Sequence, residues 1–469
     1  MAISTLEHYL SYHIRLLTPH ILSTRVSVKL AYIFALISAV TAGFVSLISL
    51  YTQPWQERLH YTSLQINTIA SMTTLGMYLT PPVLGFVADL HGPITLNFFA
   101  ILGFIPCYSY LSYNFNSANS SDSFHKTLVC FVLIGVATSA SYFSALLTCA
   151  KLYPKKKLLS ISLPTTCCGL SSLLGSQLLS IKWFWYKNHE YLDLSKVFKF
   201  FSIIYFIVGI LAWFATGIIT ILHHHVEHEE EEAQPLLSAV TSNQSQEITK
   251  MSQKQFFKDP VTYILGISML LSLGPSEMFV ANMSSLSNLL TKNVNTKMLS
   301  SQLLSVYSAF STFTRLGTGI LTDYFVERKI SPKWILLSML LASICSQLFI
   351  KVLTLQSNST ATPNLILLMG SLSGFAYGGL FTIYPTIILI VYGEELFGTA
   401  YGTMLVAPAL GSTMACLLYA STYDTHCNNN SSTSSCITPV YQSTTISLAL
   451  SLIVTLILLR AWKRRKVQL

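Results

Sequence analysis

An arginine deep inside an apolar stretch is the strongest chemical signal in this chain. Arg315 opens RLGTGILTDYFVERK and lies eight residues before Asp323, about 12 Å along a helix at 1.5 Å per residue. From that depth a guanidinium does not snorkel easily to water. Its burial in a span costs at least about 2.5 kcal/mol, so it usually faces a cavity or a partner. The planar fork matches a carboxylate, which makes a small organic anion the natural ligand. The plainer alternative is a structural pair with a carboxylate or with backbone carbonyls. Glu277 is the only acidic residue well inside an apolar span. It is read either as the carrier of a coupled proton or as a lumenal-end residue facing water.

Two further pairs stand at the ends of apolar stretches. Gly319 and Asp323 are four apart and stack on one helix face, followed closely by Arg328 and Lys329. Gly85 and Asp89, with Gly92, close an earlier stretch as GFVADLHG. One aspartate at a membrane boundary is common. Two at matching places in two blocks point to a duplicated membrane protein, the usual build of a secondary transporter.

These residues need helices to position them, and the composition supplies helices of one kind. Of 469 residues, 52% are apolar and 10% are charged, against roughly 25% charged in a soluble domain. The expected fold class is an all-α membrane protein. Twelve stretches can each span the hydrocarbon, about 30 Å thick: 30–51, 66–88, 94–113, 127–150, 158–180, 199–222, 260–283, 299–322, 333–353, 364–390, 397–419 and 443–462. The expected domains are a cytosolic N-terminal arm at 1–29, a first six-helix bundle at 30–222 and a cytosolic central loop at 223–258. A second six-helix bundle at 259–462 and a basic cytosolic tail at 463–469 complete them. No secretory signal is expected ahead of the first span, and the arm is read as able to lie on the membrane surface.

The net charge of +9 comes from basic residues scattered at loop ends. They form no stripe suited to nucleic acid and are in excess on one side, which places both termini in the cytosol. The sequons at Asn119, Asn358, Asn429 and Asn430 then fall on the lumenal side as glycosylation candidates. So does the loop bracketed by Cys427 and Cys436, where a disulfide is plausible. The other cysteines read as small packing residues. The tract HHHVEHEEEEAQPLL in the central loop is read as solvated rather than metal-binding. Within it Glu232, Leu236 and Leu237 match an acidic dileucine sorting signal, E-x-x-x-L-L, an address for coat adaptors. There is no nucleophile elbow, no metalloprotease helix, no phosphate loop and no Cys pair of redox spacing. The chain therefore reads as a non-enzyme without cofactor or metal, whose partners are a small solute, a coupled proton, lipid and a sorting adaptor.

The Gly–Asp pairs resemble the loop motif of the major facilitator superfamily, G-x-x-x-D-(R/K)-x-G-(R/K). The resemblance implies that the glycine lets helices approach and that the aspartate caps a helix end and locks one conformation. Leu90 and Pro93 stand where the motif carries basic residues. Longer matches are EHYLSYH at 7–13, LGMYLTPPVLG at 75–85, SLPTTC at 162–167, IKWFW at 181–185, DPVTYIL at 259–265 and FGTAYGTMLVAPALGS at 397–412. With these the chain resembles the fungal monocarboxylate-transporter-homologue branch of that superfamily over nearly its full length. Arg315 matches the span-eight arginine of that group, whereas Ser311 stands where its members carry an aspartate. The resemblance implies the superfamily fold, twelve spans, residence in the vacuolar membrane and solute transport by alternating access. The rival function is a receptor or scaffold that keeps the fold without moving a solute.

Overall fold

The computed structural model describes residues 5–14, 16, 23–117, 123–186, 192–237, 252–290, 296–355, 362–427 and 434–465. Among these residues the architecture is helical, with one isolated bridge between Trp185 and Leu192. The main helices are α1 (Thr5–Leu10), α2 (Thr24–Ala42), α3 (Ser63–Leu79), α4 (Pro81–His91), α5 (Pro93–Ser117), α6 (Ser123–Leu152), α7 (Leu163–Leu179) and α8 (Leu194–Leu237). They continue as α9 (Pro260–Leu290), α10 (Thr296–Glu327), α11 (Lys333–Leu355), α12 (Pro363–Tyr392), α13 (Phe397–Met404), α14 (Val406–Thr422) and α15 (Thr438–Arg464).

Ten of the described helical stretches are long and apolar enough to cross a membrane. The two expected spans outside that set are the ones that carry the Gly–Asp pairs. The stretch 66–88 is interrupted at Thr80, after which Pro81 and Pro82 open α4. Proline lacks an N–H and fits a first helical turn but not a helix interior. The stretch 299–322 lies within α10, one continuous helix of 32 residues whose hydropathy is lowered by Ser, Thr, Gln and Arg315.

Cα proximity divides the chain into two compact units. The first comprises residues 1–155, 170–253 and 394–402, the second 156–169, 254–393 and 403–469. Two helical stretches are thus shared along their length: the segment from 158 to 179, and the one that starts at Phe397.

In the first unit α5 packs on α6 and α8, and α2 packs on both. Phe104, Tyr108 and Tyr205 stack as a buried aromatic column, and the Tyr205 hydroxyl donates to the Thr41 carbonyl at 2.8 Å. The N-terminal arm is anchored on the first unit at two points. Trp213 donates its indole N–H to the Leu10 carbonyl at 2.9 Å, and Ile14 is buried against Ala31, Ala215 and Ile218. The first span also begins at Thr24, ahead of the expected 30. Helix α8 runs on to Leu237, so the expected loop 223–258 begins as a helical extension. Its run of Glu, Ala and Gln consists of good helix formers.

In the second unit, hydroxyls and glycines do the joining. The Tyr384 hydroxyl lies 2.9 Å from both Ser268 and Ser272, and Ser268 meets Thr455 at 2.7 Å. These residues tie α9, α12 and α15 through buried polar contacts that lipid cannot compete for. Helices α10 and α12 meet more closely still. Gly370, Gly374 and Gly378 face Leu303, the Tyr307 carbonyl and the Ser311 carbonyl, each at four-residue spacing. A Cβ on Gly378 would fall inside the Ser311 carbonyl oxygen. Gly378→Leu is therefore expected to cost at least about 1–3 kcal/mol through overpacking. Thermal unfolding of the detergent-solubilised protein checks this, and an unchanged midpoint would contradict so close a contact.

Candidate solute-binding site and gating contacts

The glycine ladder leads directly to Arg315. Four residues beyond Ser311 on α10 comes Arg315. Three beyond Gly374 and Gly378 on α12 come Tyr377 and Phe381. The guanidinium carbon lies 5.6 Å from the Tyr377 ring centre and 5.7 Å from that of Phe381, within cation–π range. Its Nη1 donates to the Thr165 carbonyl at 2.7 Å, and Gly169 leaves room beside it. The backbone carbonyl of Arg315 accepts from the Ser162 hydroxyl. Thr165, Gly169 and Ser162 lie on the part of the 158–179 segment that belongs to this unit.

Arg315 is 8% exposed, and its Nε has no hydrogen-bond partner. Among the described residues no carboxylate forms an ion pair with it. A buried donor left without an acceptor costs about 1–3 kcal/mol, and binding an anion on the Nε edge would recover that. Glu277 belongs to the same cluster without touching the arginine. The Tyr377 hydroxyl donates to Glu277 Oε1 at 3.0 Å, while the face of the same ring lies toward Arg315. Tyr307 joins at a tilt, its ring centre 5.7 Å from that of Tyr377.

Both Gly–Asp pairs make the same contact, once in each unit. In the first unit Asp89 accepts from the backbone N–H of Gly398 at 3.1 Å and of Thr399 at 2.6 Å. These are first-turn donors of α13, which have no acceptor within their own helix. Gly85 lets the Gly398 backbone come against α4. In the second unit Asp323 accepts from the N–H of Lys157 at 2.5 Å and of Leu158 at 3.0 Å. Gly319 lies against Ser162 and Leu158. Each aspartate thus caps the start of a helix other than its own, where the helix dipole favours negative charge.

Other expected residues fall elsewhere. Arg328 is exposed and lies over its own neighbour Tyr324, 4.7 Å from the ring centre, so backbone donors rather than this arginine satisfy Asp323. Gly92 takes φ +76° and has the Glu7 carboxylate of α1 beside it. Glu7 also accepts from Thr220 at 3.0 Å. Cys427 and Cys436 are joined as a disulfide. Glu232, Leu236 and Leu237 lie on the α8 extension. Asn119, Asn358, Asn429 and Asn430 are outside the described residues. Among the described residues no group of ligands suited to a metal ion occurs.

Sequence reasoning missed Tyr377, Phe381 and Thr165, and it missed the partners of both aspartates. The signal for the Asp89 partners was present in FGTAYGT, whose small residues admit a second backbone. Nothing marked Tyr377 among the other aromatics.

A helical membrane protein with a buried arginine and two Gly–Asp pairs capping helix starts belongs to a defined class. Residues 32–415 match the model of the Major Facilitator Superfamily, and the chain belongs to that family. It is a multi-pass membrane transporter. Probable transporter MCH1 of Saccharomyces cerevisiae is 52% identical to it over the full length of both chains. The protein of the same name from Candida glabrata is 50% identical over 99% of each. Among solved structures, the proton:xylose symporter XylE superposes with TM-score 0.66 at 10% identity, covering 92% of this chain and 95% of that one. The Escherichia coli fucose:proton symporter FucP gives 0.55 at 12% identity, covering 92% and 99%. At those identities the likeness is one of fold.

Proposed function

We propose that this transporter carries a small organic anion across the vacuolar membrane by alternating access, with Arg315 as the residue that binds it. One observation carries the reading: a buried guanidinium whose Nε lacks an acceptor. An ordinary structural arginine would have its donors filled. Glu277, one tyrosine away, is the residue suited to take up a coupled proton as the anion binds. Asp89 and Asp323, with Gly85, Gly92, Gly319 and Arg328, would hold one conformation of the cycle. Both termini would lie in the cytosol, with Asn119, Asn358, Asn429 and Asn430 on the lumenal side.

Solute profiling of isolated vacuoles with and without the protein tests this. We expect a few organic anions to accumulate or be depleted, and the change to follow Arg315. An unchanged profile, with the protein present in the membrane, would favour a receptor or scaffold. The address has a separate test. Leu236→Ala with Leu237→Ala is expected to divert most of the protein to the cell surface in fluorescence microscopy. Unchanged vacuolar residence would mean that another signal and another adaptor carry it there.

A further inference from the structure

The interior of the second unit holds a small polar cavity between α9, α11 and α12. Ser276 and Phe279 of α9, Ser343, Ser346 and Gln347 of α11, and Ser373 of α12 line it, and it has about 10 Å³ of room. That is on the order of the space one water takes. The polar side chains around it are deeply buried: Gln347, Ser343 and Ser346 are 2% exposed, Ser276 and Ser373 7%. We propose that this cavity is a binding site for a single ordered water, which joins α9, α11 and α12 by hydrogen bonds. The inference stands apart from the reading of Arg315 and does not depend on it.

The partners of the lining groups carry the argument. Thr444 of α15 donates to Gln347 Oε1 at 3.0 Å, which leaves the two donors of Nε2. Among the described residues these donors meet no acceptor, and the Ser343 hydroxyl meets no partner. Either orientation of the Gln347 amide leaves one polar end to be satisfied here. Ser346 and Ser373 lie 2.8 Å apart. One of their two hydroxyl protons serves that bond, and the other is left over. The Ser276 hydroxyl donates to the Ser272 carbonyl at 3.2 Å, and its oxygen keeps lone pairs for accepting. Helices α11 and α12 thus offer donors to one small space, and α9 offers an acceptor. A water answers all three: it accepts from Gln347 and from the Ser346–Ser373 pair, and donates to Ser276 or Ser343. No charged side chain lines the cavity, so an ion would be left uncompensated there. An apolar occupant would strand every donor, and lipid around the bundle supplies no substitute. Cavities of this polar kind hold water, whereas apolar ones stay dry.

The test uses the full chain in lipid nanodiscs and X-ray hydroxyl-radical footprinting, read by peptide mass spectrometry. Radiolysis of a water makes a hydroxyl radical that attacks rings in contact with it. Phe279 lines the cavity and is 1% exposed, so bulk water does not reach it. Phe279 is expected to be hydroxylated, and to remain so when methionine amide is added to scavenge radicals in the bulk. Phe257, 46% exposed, should lose its label to the scavenger. Phe256, fully buried and outside the lining, should take none. Ser343→Val fills the space and removes one partner, and should cut the Phe279 label at least about fivefold. A cooperative thermal transition shows that this variant is folded. Should it fail to fold, Ala376→Val fills the same cavity from α12. An unlabelled Phe279 in the unaltered protein means a dry cavity and overturns the proposal. A label lost to the scavenger means entry from the bulk, and it overturns a held water as well. Full labelling in the folded, filled variant does the same.

Discussion

Replacing Arg315 by lysine is expected to abolish transport almost as completely as replacing it by alanine. Lysine keeps the charge but not the fork. At this position Nη1 is spent on the Thr165 carbonyl, while the Nε edge has no partner. An ammonium on a flexible stem cannot serve that carbonyl and also grip a carboxylate with two parallel bonds. Hydrogen bonds to charged groups contribute about 1.5–3 kcal/mol each, so losing two predicts at least a hundredfold drop, roughly, in uptake. Uptake into vacuolar vesicles of the anions found by profiling, normalised to protein level, measures it. Full activity in Arg315→Lys would remove the two-point grip from the account, and full activity in Arg315→Ala would remove the arginine.

The second large effect concerns the two aspartates. Asp89→Ala strips the acceptor from Gly398 and Thr399, and Asp323→Ala does the same to Lys157 and Leu158. An unpaired donor costs about 1–3 kcal/mol where it is buried, as at Gly398 and Thr399, and less at the half-buried Lys157 and Leu158, so the capped turn should open far more often. Amide hydrogen exchange is expected to accelerate at least about tenfold at 397–402 in the first variant and at 157–162 in the second. Each should leave the other segment unchanged. Asparagine retains one acceptor oxygen and should give an intermediate rate. Exchange that rises equally in both segments for either variant would show general loosening, not a lost cap. If these caps hold one conformation of the cycle, both alanine variants should also slow transport.

Much of this was legible in the sequence because a bilayer leaves few choices. Backbone groups in lipid must be satisfied internally, so long apolar runs declare themselves as helices. Arg315 and the Gly–Asp pairs stood out because charge at a membrane boundary or inside it is rare. What stayed hidden depends on which helix lies beside which. Asp89 finds its partners at 398 and 399, more than three hundred residues away, and those partners are backbone groups that any residue type could supply. Tyr377 is one tyrosine among 24, and only the register of α12 on α10 gives it a place between two charges. The anchoring of the arm stayed hidden for a related reason, since the contacts of Leu10 and Ile14 are with Trp213 and Ala215, some two hundred residues away. The continuation of α8 was missed because charge was taken to mean a loop, although glutamate is a good helix former.

The backbone contact between α10 and α12 also limits how a bound molecule can leave. With Gly374 and Gly378 against the Tyr307 and Ser311 carbonyls, there is no side-chain layer between the helices to compress or slide. So close a contact would make the two move as one lever, carrying Arg315 and Tyr377 together. Release by the parting of this pair would require breaking a close backbone contact. If Arg315 binds the solute, its release would depend instead on what withdraws from around this pair. The exit rate would then be set by elements that carry none of the groups gripping the molecule, and substitutions far from Arg315 could change turnover while leaving affinity as it was.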